Sequence, residues 1–329
     1  MCWLRLELLK AKGTEFNFMI EYTTPTTTSK PQPIAIDKEP SLTHPVSQMA
    51  TEAQCRSDAF YYWCQETRLP HELIFHRKLW EYAYILQCLS ETGMMSPGRR
   101  GLGFGVGQEP LVAVMAARGC SVVAKDLDSE EAAKQGGAGT GQYAATLEAL
   151  NDRGICPPDR FAALVKYRVA DMNKIDADLV GFDFVYSSCA FEHVGSIELG
   201  LQFVKNSIKC LRPGGIAVHT TEFNVLSNDA TIDHQQTVLF RRRDIDALAA
   251  ELATEGHEIV LNYNAGSGPF DRHIDVPPWS GIHLKLQLEQ YVTTWGCSLR
   301  RLHRCSRFSI IFRHFYSAKS KTNVKSSTK

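Results

Sequence analysis

The sequence has 329 residues, enough for one large domain with added segments or for two small domains. It contains 36 Lys and Arg against 36 Asp and Glu, so its overall charge gives no reason to expect nucleic acid or an anionic membrane as a partner. No apolar run approaches the roughly 20 residues of a transmembrane helix, and residues 1–13 lack the unbroken apolar stretch of a secretory signal. Ten cysteines without a Cys-x-x-Cys pair favour a reduced, cytoplasmic protein.

The first part of the chain is predicted to be an extension followed by helices. Residues 23–48 are rich in Thr, Pro, Ser and Lys, a composition that buries too little apolar surface to fold, so we predict that residues 1–48 are disordered. Over residues 70–89, aliphatic and aromatic residues recur at helical spacing until Gly93 ends the pattern. We therefore predict a helical cap over residues 49–96.

Short β-type runs alternate with amphipathic segments over residues 97–316. This alternation predicts an α/β domain with a mostly parallel sheet and helices on both faces. The predicted parallel strands cover residues 101–104, 121–124, 165–169, 182–186 and 216–220. Two further strands, 257–262 and 283–293, are expected to form an antiparallel pair at one edge, which makes seven strands. A basic tail, residues 317–329, is predicted to be disordered.

The segment PGRRGLGFGVGQE, residues 97–109, joins a short strand to a glycine-rich turn. Gly105 and Gly107 allow the backbone to approach a ligand, and the N–H groups that begin the following helix can donate to it. The next strand ends near Asp126, where a carboxylate can accept hydrogen bonds from both hydroxyls of a ribose. The turn and the acid together indicate a nucleoside-containing ligand.

These residues resemble the class I S-adenosylmethionine-dependent methyltransferases, whose first turn typically reads P-G-x-x-V-L-D-x-G-x-G-x-G. Gly105 and Gly107 match the first two turn glycines, and Asp126, followed by Leu127, matches the ribose-binding acid. The resemblance implies a Rossmann-like fold, S-adenosyl-L-methionine as cofactor and methyl transfer as activity.

Two positions of the turn depart from the family pattern. The acid that precedes the turn is replaced by Gly103, which removes a carboxylate contact to the methionine part of the cofactor. The third glycine is replaced by Glu109, although the helix still begins just before Pro110, a favoured first-turn residue.

Three later segments match the family in the expected order. VADMNKI places Asp171 and Met172 at the end of the third strand, where the family contacts adenine. FDFVYSSCAFEHV places Ser187 and Ser188 beside the cofactor, and CLRPGGIAVHTTEFN forms the turn into the fifth strand. The resemblance thereby extends over residues 97–221.

Candidates for a general base follow the fourth and fifth strands, because sites in open α/β sheets lie outside the carboxyl ends of the strands. They are His193, His219 and Glu222, of which His193 also suits a packing role beside the cofactor. Related proteins bind a metal near this point with two carboxylates and the histidine, but one of those carboxylates is Cys189 here, so we predict no metal.

The loop over residues 266–281 concentrates Asp271, Asp275 and Trp279 between glycines and prolines, which favours an acceptor-binding loop. We predict methyl transfer to an oxygen or nitrogen of a small molecule or sugar, without nucleic acid or membrane partners. Two alternatives stay open: a non-catalytic module that binds S-adenosylmethionine or a nucleotide, and an NAD-dependent oxidoreductase, which would normally show the G-x-G-x-x-G absent here.

Overall fold

The computed structural model describes residues 32–69, 75–126 and 146–295, together with the backbone of four two-residue strands outside these ranges. Leu127, the start of the helix predicted over 70–89 and the tail 317–329 lie outside the described residues. Within the described part, no helix combines the length and the apolar character needed to span a membrane.

The helices and strands follow one another in a largely alternating order. The α-helices are α1 (Glu52–Cys55), α2 (Asp58–Glu66), α3 (Arg77–Glu91), α4 (Leu111–Ala117), α5 (Pro158–Leu164), α6 (Ile197–Lys209) and α7 (Arg242–Thr254). The strands are β1 (Arg5–Leu6), β2 (Ile20–Glu21), β3 (Ile34–Ile36), β4 (Ser47–Gln48), β5 (Arg100–Phe104), β6 (Ser121–Asp126), β7 (Val165–Val169), β8 (Phe182–Ser188), β9 (Leu211–Thr220), β10 (Glu222–Asn224), β11 (Asp233–His234), β12 (Thr237–Val238), β13 (His257–Glu258), β14 (Val260–Asn262), β15 (Lys285–Leu288), β16 (Tyr291–Trp295), β17 (Leu299–Arg300) and β18 (Leu302–His303).

Among the described residues, the central sheet has six strands in the order β17-β9-β8-β5-β6-β7. The five strands from β9 to β7 are parallel, and β17 runs antiparallel to β9 at the edge. Every residue of β8 is buried, as expected for a central strand of a sheet that is covered on both faces. The predicted α/β, Rossmann-like class with an antiparallel edge strand is confirmed, whereas the predicted number of seven strands is not.

Two apolar cores lie on opposite faces of this sheet. Side chains alternate between the faces along a strand, so Phe184 and Tyr186 of β8 pack with helices α2 to α4, and Val185 packs with α6 and α7. On β5, Leu102 packs on the α6 and α7 side. The sheet is thereby fixed between two helical layers, and the carboxyl ends of its parallel strands meet at one edge.

Residues 32–48, part of the extension that the composition predicts to be disordered, form strands and packed contacts in the structure. Strands β3 and β4 both pair in parallel with β14, Leu42 is fully buried, and the Gln48 side-chain amide donates to Gln54 Oε1 at 2.7 Å. Composition failed here because the apolar and hydrogen-bonding partners come from α1 and from a strand more than 200 residues away.

The predicted antiparallel pair of 257–262 with 283–293 is wrong. Strand β13 pairs with β18, and β14 pairs with the N-terminal strands. The second segment instead forms the β15–β16 hairpin, and β16 also pairs with β10, which follows the end of β9. Local sequence cannot distinguish these pairings, because each depends on partners from distant parts of the chain.

Candidate cofactor site and acidic cluster

The turn between β5 and α4 adopts a backbone that glycine favours. Gly105 has φ +59° and Gly107 has φ +48°, both in the left-handed region. A Cβ atom on Gly105 would lie 2.5 Å from Ala190 Cβ and 3.8 Å from Met172 Sδ, so the turn packs directly against the residues that follow β8 and β7. The structure thus brings Gly105, Gly107 and Met172 together, as predicted from the motifs.

Asp126 lies at the end of β6 next to this turn. Its Oδ2 accepts a hydrogen bond from the Gly107 backbone N–H at 3.1 Å, and its own carbonyl accepts one from the Ala170 N–H at 2.9 Å. The side chain is therefore held against the turn, as expected of the acid that the resemblance assigns to the ribose. This carboxylate therefore links the glycine turn, which is the first predicted cofactor segment, to the end of β6, which is the second.

The other two predicted cofactor residues, Asp171 and Ser187, differ in their burial. Asp171 is exposed, and its Oδ1 accepts from the Asn173 N–H at 2.8 Å. Ser187 is fully buried, and its hydroxyl lies 2.8 Å from His219 Nδ1. Asp171 lies at the solvent side of the site, whereas the hydroxyl of Ser187 is engaged inside the sheet rather than at its carboxyl edge.

The glycine that replaces the acid before the turn has a steric reason. A Cβ atom on Gly103 would lie 2.6 Å from Cζ and 2.7 Å from the hydroxyl of Tyr186, which pairs with it across β5 and β8. The aromatic ring therefore occupies the space above this residue. The Tyr186 hydroxyl is buried and has no hydrogen-bond partner among the described residues.

Helix α3 lies across the carboxyl ends of β8 and β9. Its Glu81 is fully buried, and Oε2 accepts from the Ser188 hydroxyl at 3.0 Å and from the Thr220 hydroxyl at 2.9 Å. One turn earlier, Lys78 Nζ lies 3.6 Å from Glu81 Oε2 and 3.3 Å from Oε1 of Glu109, two residues beyond the glycine turn. This helix therefore connects the turn with the ends of two further strands.

Electrostatics around Lys78 and Glu109 favour charge on the amine and a proton on the acid. Burial raises the pKa of Glu109 to about 8, although Lys78 opposes the shift. Against the lowering effect of burial, the Glu81 and Glu109 carboxylates raise the pKa of Lys78 well above its usual value. Glu109 Oε2 is buried and accepts no hydrogen bond within the described ranges.

Three glutamates form what we call the acidic cluster: Glu81, Glu192 and Glu222. The Thr221 hydroxyl donates to Glu192 Oε2 at 3.0 Å, and Arg77 Nη1 lies 3.6 Å from Glu222 Oε1. The second oxygen of each cluster carboxylate is buried without a hydrogen-bond partner among the residues that the structure describes. Burial and then the neighbouring Glu192 raise the pKa of Glu222 to about 7; burial also raises that of Glu81.

One family of known proteins matches part of the chain. The family described as "Methyltransferase domain" matches residues 102–219, from β5 through the glycine turn to the end of β9. This match covers 118 of the 329 residues and identifies this part of the chain as similar to a methyltransferase domain. No curated protein matches the sequence. The resemblance drawn from the motifs is thereby confirmed.

Solved structures of methyltransferases are similar to the chain at low sequence identity. An S-adenosylmethionine-dependent methyltransferase from Mesorhizobium loti is 24% identical with a TM-score of 0.26, over 39% of this chain and 48% of that one. Phosphoethanolamine N-methyltransferase 2 from Haemonchus contortus is 22% identical with a TM-score of 0.36, over 52% and 36%. The CcbJ methyltransferase from Streptomyces caelestis is 12% identical with a TM-score of 0.36, over 65% and 93%. The chain thus spans half or less of the first two structures.

The residues present fit S-adenosylmethionine, the cofactor that the resemblance implies. A Cβ atom on Gly105 would clash with Ala190, Gly107 has a positive φ, and the Asp126 carboxylate lies beside this turn, where the resemblance expects the ribose-binding acid. Buried polar atoms of Tyr186 and Glu109 lie beside the same turn without hydrogen-bond partners among the described residues.

The structure separates the three predicted general bases. His219 is fully buried, its two ring nitrogens lie 2.8 Å from the Ser187 hydroxyl and 3.0 Å from the Ser207 hydroxyl, and burial lowers its pKa to about 3. The His193 side chain is half exposed, with Nδ1 2.8 Å from the Gln236 carbonyl oxygen. Of the three, Glu222 alone belongs to the buried cluster at the carboxyl edge.

The loop over residues 266–281 is held together by its own acids. Asp271 Oδ1 accepts from the Glu52 N–H at 2.7 Å, and its Oδ2 accepts from the Gly268 N–H at 2.9 Å. Asp275 Oδ1 accepts from the Ser280 N–H, and Oδ2 contacts His283. These carboxylates fix the shape of the loop. This structural role explains why several acids lie in the loop even without a contact to an acceptor.

Within the described ranges, no group of three or more His, Cys, Asp and Glu side chains is arranged to hold a metal ion. The prediction that no metal is bound stays a prediction.

Sequence reasoning did not select Lys78, Glu81 or Glu109. A signal existed, because Lys78 and Glu81 interrupt a helix whose other residues over 79–89 are mostly buried and apolar.

Proposed function

We propose that the protein transfers the methyl group of S-adenosylmethionine to an oxygen or nitrogen atom of a small molecule, a sugar included. The observation that carries this proposal is the acidic cluster, which is buried at the carboxyl edge of the sheet beside the glycine turn. Titratable groups with perturbed pKa values in such a position are characteristic of active sites. S-Adenosylmethionine supplies an electrophilic methyl group on a sulfonium, so the protein has to hold the acceptor in line with it and accept any proton that the acceptor loses.

The nucleoside part is assigned to the turn and to the ends of β6 and β7. Gly105 and Gly107 let the backbone approach the ligand, and Asp126 accepts from the ribose hydroxyls. Met172, which is 9% exposed beside Gly105, offers an apolar surface to the adenine ring. Asp171, exposed at the same strand end, is the candidate for the adenine amino group.

The methionine part is assigned to Lys78 and Glu109. The acid that the family places before the turn is absent, and the Tyr186 ring covers Gly103. An α-amino acid carries one ammonium and one carboxylate. The ammonium would favour the ionised form of Glu109, and Lys78, whose Nζ lies 3.3 Å from Glu109 Oε1, supplies the positive charge. Glu109 thereby takes over the carboxylate contact that the first strand no longer provides, and Lys78 pairs with the α-carboxylate.

Proton acceptance is assigned to Glu222. Its pKa of about 7 gives it a substantial fraction of the basic form near neutral pH. The imidazole of His219 also stays neutral there, but both of its nitrogens contact serine hydroxyls beneath the edge of the sheet. His193 is less enclosed, and we assign it to the rim of the pocket.

Calorimetric titration and a methyl-transfer assay test the proposed function. We expect S-adenosylhomocysteine and S-adenosylmethionine to bind and NAD not to bind, because the turn and Asp126 suit the former while the dinucleotide pattern is absent. Conversion of S-adenosylmethionine to S-adenosylhomocysteine that depends on an added acceptor would distinguish an enzyme from a binding module. Binding of NAD alone would overturn the proposal.

Lys78→Met and Glu109→Gln should weaken the binding of S-adenosylhomocysteine by about tenfold to a hundredfold each, because each removes one charge-assisted contact to the amino acid part. The affinity for 5′-deoxy-5′-methylthioadenosine, which lacks that part, should stay within about twofold for the same reason. Calorimetry with both ligands measures the difference, and thermal melting reports whether the variants are folded.

Lys205 and Glu251 offer a matched control on the surface. Lys205 Nζ lies 3.0 Å from Glu251 Oε1 between α6 and α7. Lys205→Met and Glu251→Gln should leave both ligands unaffected, because this pair is remote from the turn. An equal loss of affinity for both ligands in the Lys78 and Glu109 variants would contradict the assignment, since it would indicate a general disturbance of the site.

A further inference from the structure

We propose that the methyl acceptor is an amine, bound as its ammonium cation by the acidic cluster of Glu81, Glu192 and Glu222. The inference rests on the proposed function and narrows its acceptor from any oxygen or nitrogen to an amine nitrogen. It is carried by the unpartnered oxygens of three carboxylates that are buried together.

One oxygen of each carboxylate in the cluster lacks a hydrogen-bond donor among the described residues. Glu81 and Glu192 are fully buried and Glu222 is 7% exposed, yet Glu81 Oε1, Glu192 Oε1 and Glu222 Oε2 accept no hydrogen bond in the described part of the protein. Each unsatisfied buried group costs about 1–3 kcal/mol, so native proteins rarely gather several of them without a ligand or water. Three acceptor oxygens therefore call for a ligand that brings several donors.

The opposite oxygens of the same carboxylates are held in place by the protein. Ser188 and Thr220 donate to Glu81, Thr221 donates to Glu192, and Arg77 lies beside Glu222. These contacts fix the orientation of the side chains before any ligand enters. The site is therefore preorganised, with one bound and one unpartnered oxygen on each acid.

An ammonium group matches this site in number and in charge. It has three N–H donors and no acceptor, as in a lysine side chain, and the cluster offers three acceptors. Arg77 lies beside Glu222, Lys78 is shared between Glu81 and Glu109, and Glu192 has no Lys or Arg partner among the described residues, so the three acids of the cluster outnumber their cations and leave an excess of negative charge. A hydroxyl acceptor would supply one donor and leave that excess unneutralised, and a phosphorylated or carboxylated group placed here would be repelled.

The reaction of an amine uses the same groups. The bound ammonium first gives a proton to the Glu222 carboxylate, which faces Glu192, Glu81, Arg77 and His193 and has a pKa of about 7. The nitrogen lone pair then forms the N–C bond to the methyl carbon while the C–S bond of the sulfonium breaks. The leaving group is the neutral thioether S-adenosylhomocysteine, and the product nitrogen carries the positive charge, so atoms and charge balance.

Methylammonium and methanol distinguish the two acceptor classes, because they have the same number of heavy atoms and are small enough for any pocket that admits an amine or an alcohol. We expect methylammonium chloride to bind to the protein saturated with S-adenosylhomocysteine, and methanol and sodium chloride at matched concentration not to bind. In Glu192→Gln, methylammonium binding should weaken by about thirtyfold, because a buried charge partner is lost. In Glu251→Gln, an exposed glutamate on α7, it should be unchanged.

Methyl transfer provides the second measurement. With S-adenosylmethionine present, methylammonium should yield S-adenosylhomocysteine at least about tenfold faster than methanol does. Equal binding of methanol, absence of methylammonium binding, or wild-type binding in folded Glu192→Gln would each overturn the amine inference. The binding of S-adenosylhomocysteine is measured separately. If S-adenosylhomocysteine binds and methanol is methylated instead of methylammonium, the proposed function stands and the acceptor class is wrong. If S-adenosylhomocysteine does not bind, the proposed function itself is wrong.

Discussion

Glu222→Gln should lower the maximal rate of methyl transfer by about a hundredfold or more while the affinity for S-adenosylhomocysteine stays within about twofold. Glutamine keeps the size of the side chain and the contact with Arg77 Nη1, which lies 3.6 Å from the carboxylate. It cannot accept a proton from the acceptor. Steady-state kinetics with a methylated acceptor and calorimetry with S-adenosylhomocysteine separate the two effects.

The pH dependence of the rate gives an independent check on Glu222. Burial and Glu192 raise its pKa from 4.5 to about 7, so the basic form dominates above about pH 7 and is lost as the pH falls through that value. The wild-type rate should fall accordingly on acidification, and this ionisation should be absent from the residual activity of Glu222→Gln. The native state also retains this proton to higher pH than the unfolded chain does, so this group lowers the free energy of unfolding as pH rises from about 4.5 to 7.

Glu251→Gln is the matched control for this substitution, because Glu251 is exposed and pairs only with Lys205 in the described contacts. Its rate and pH profile should equal those of the wild type. Full activity in a folded Glu222→Gln variant would remove the base assignment and leave positioning of the acceptor as the source of catalysis.

Asp126→Ala should weaken S-adenosylhomocysteine binding by about 1.5–3 kcal/mol, which corresponds to a loss of roughly tenfold to 150-fold. The carboxylate stands at the end of β6, fixed to the turn by the Gly107 N–H. Calorimetry measures the loss. An analogue of S-adenosylhomocysteine without the ribose hydroxyls should lose little further affinity in the variant, because the contact in question is already missing from the ligand.

Two controls accompany Asp126→Ala. Asp126→Asn can retain a hydrogen bond from Gly107 and tests whether the turn, rather than the ribose contact, explains the loss. Asp159→Ala changes an exposed aspartate in the first turn of α5 and should not affect the ligand. Unchanged affinity in Asp126→Ala would show that the ribose is held elsewhere.

The sequence alone determined the parts of this protein that depend on neighbouring residues. Apolar runs such as 182–186 predicted buried parallel strands, because a strand covered on both faces must be apolar throughout. Gly105 and Gly107 predicted a tight turn because their positive φ values favour glycine. Together with Asp126 at the end of the following strand, these local features were sufficient to predict the fold class and to indicate the resemblance to the methyltransferases.

Only the tertiary structure decided the contacts between distant segments. The Tyr186 ring covers Gly103, β14 pairs with β3 and β4, and His219 lies beneath the sheet edge rather than in the pocket. The acidic cluster joins Glu81 of α3 to residues more than a hundred positions later, through Ser188 and Thr220. A side chain's pKa and hydrogen-bond partners are set by such neighbours, so whether a glutamate is a surface charge or a buried base is decided by packing rather than by its own sequence context.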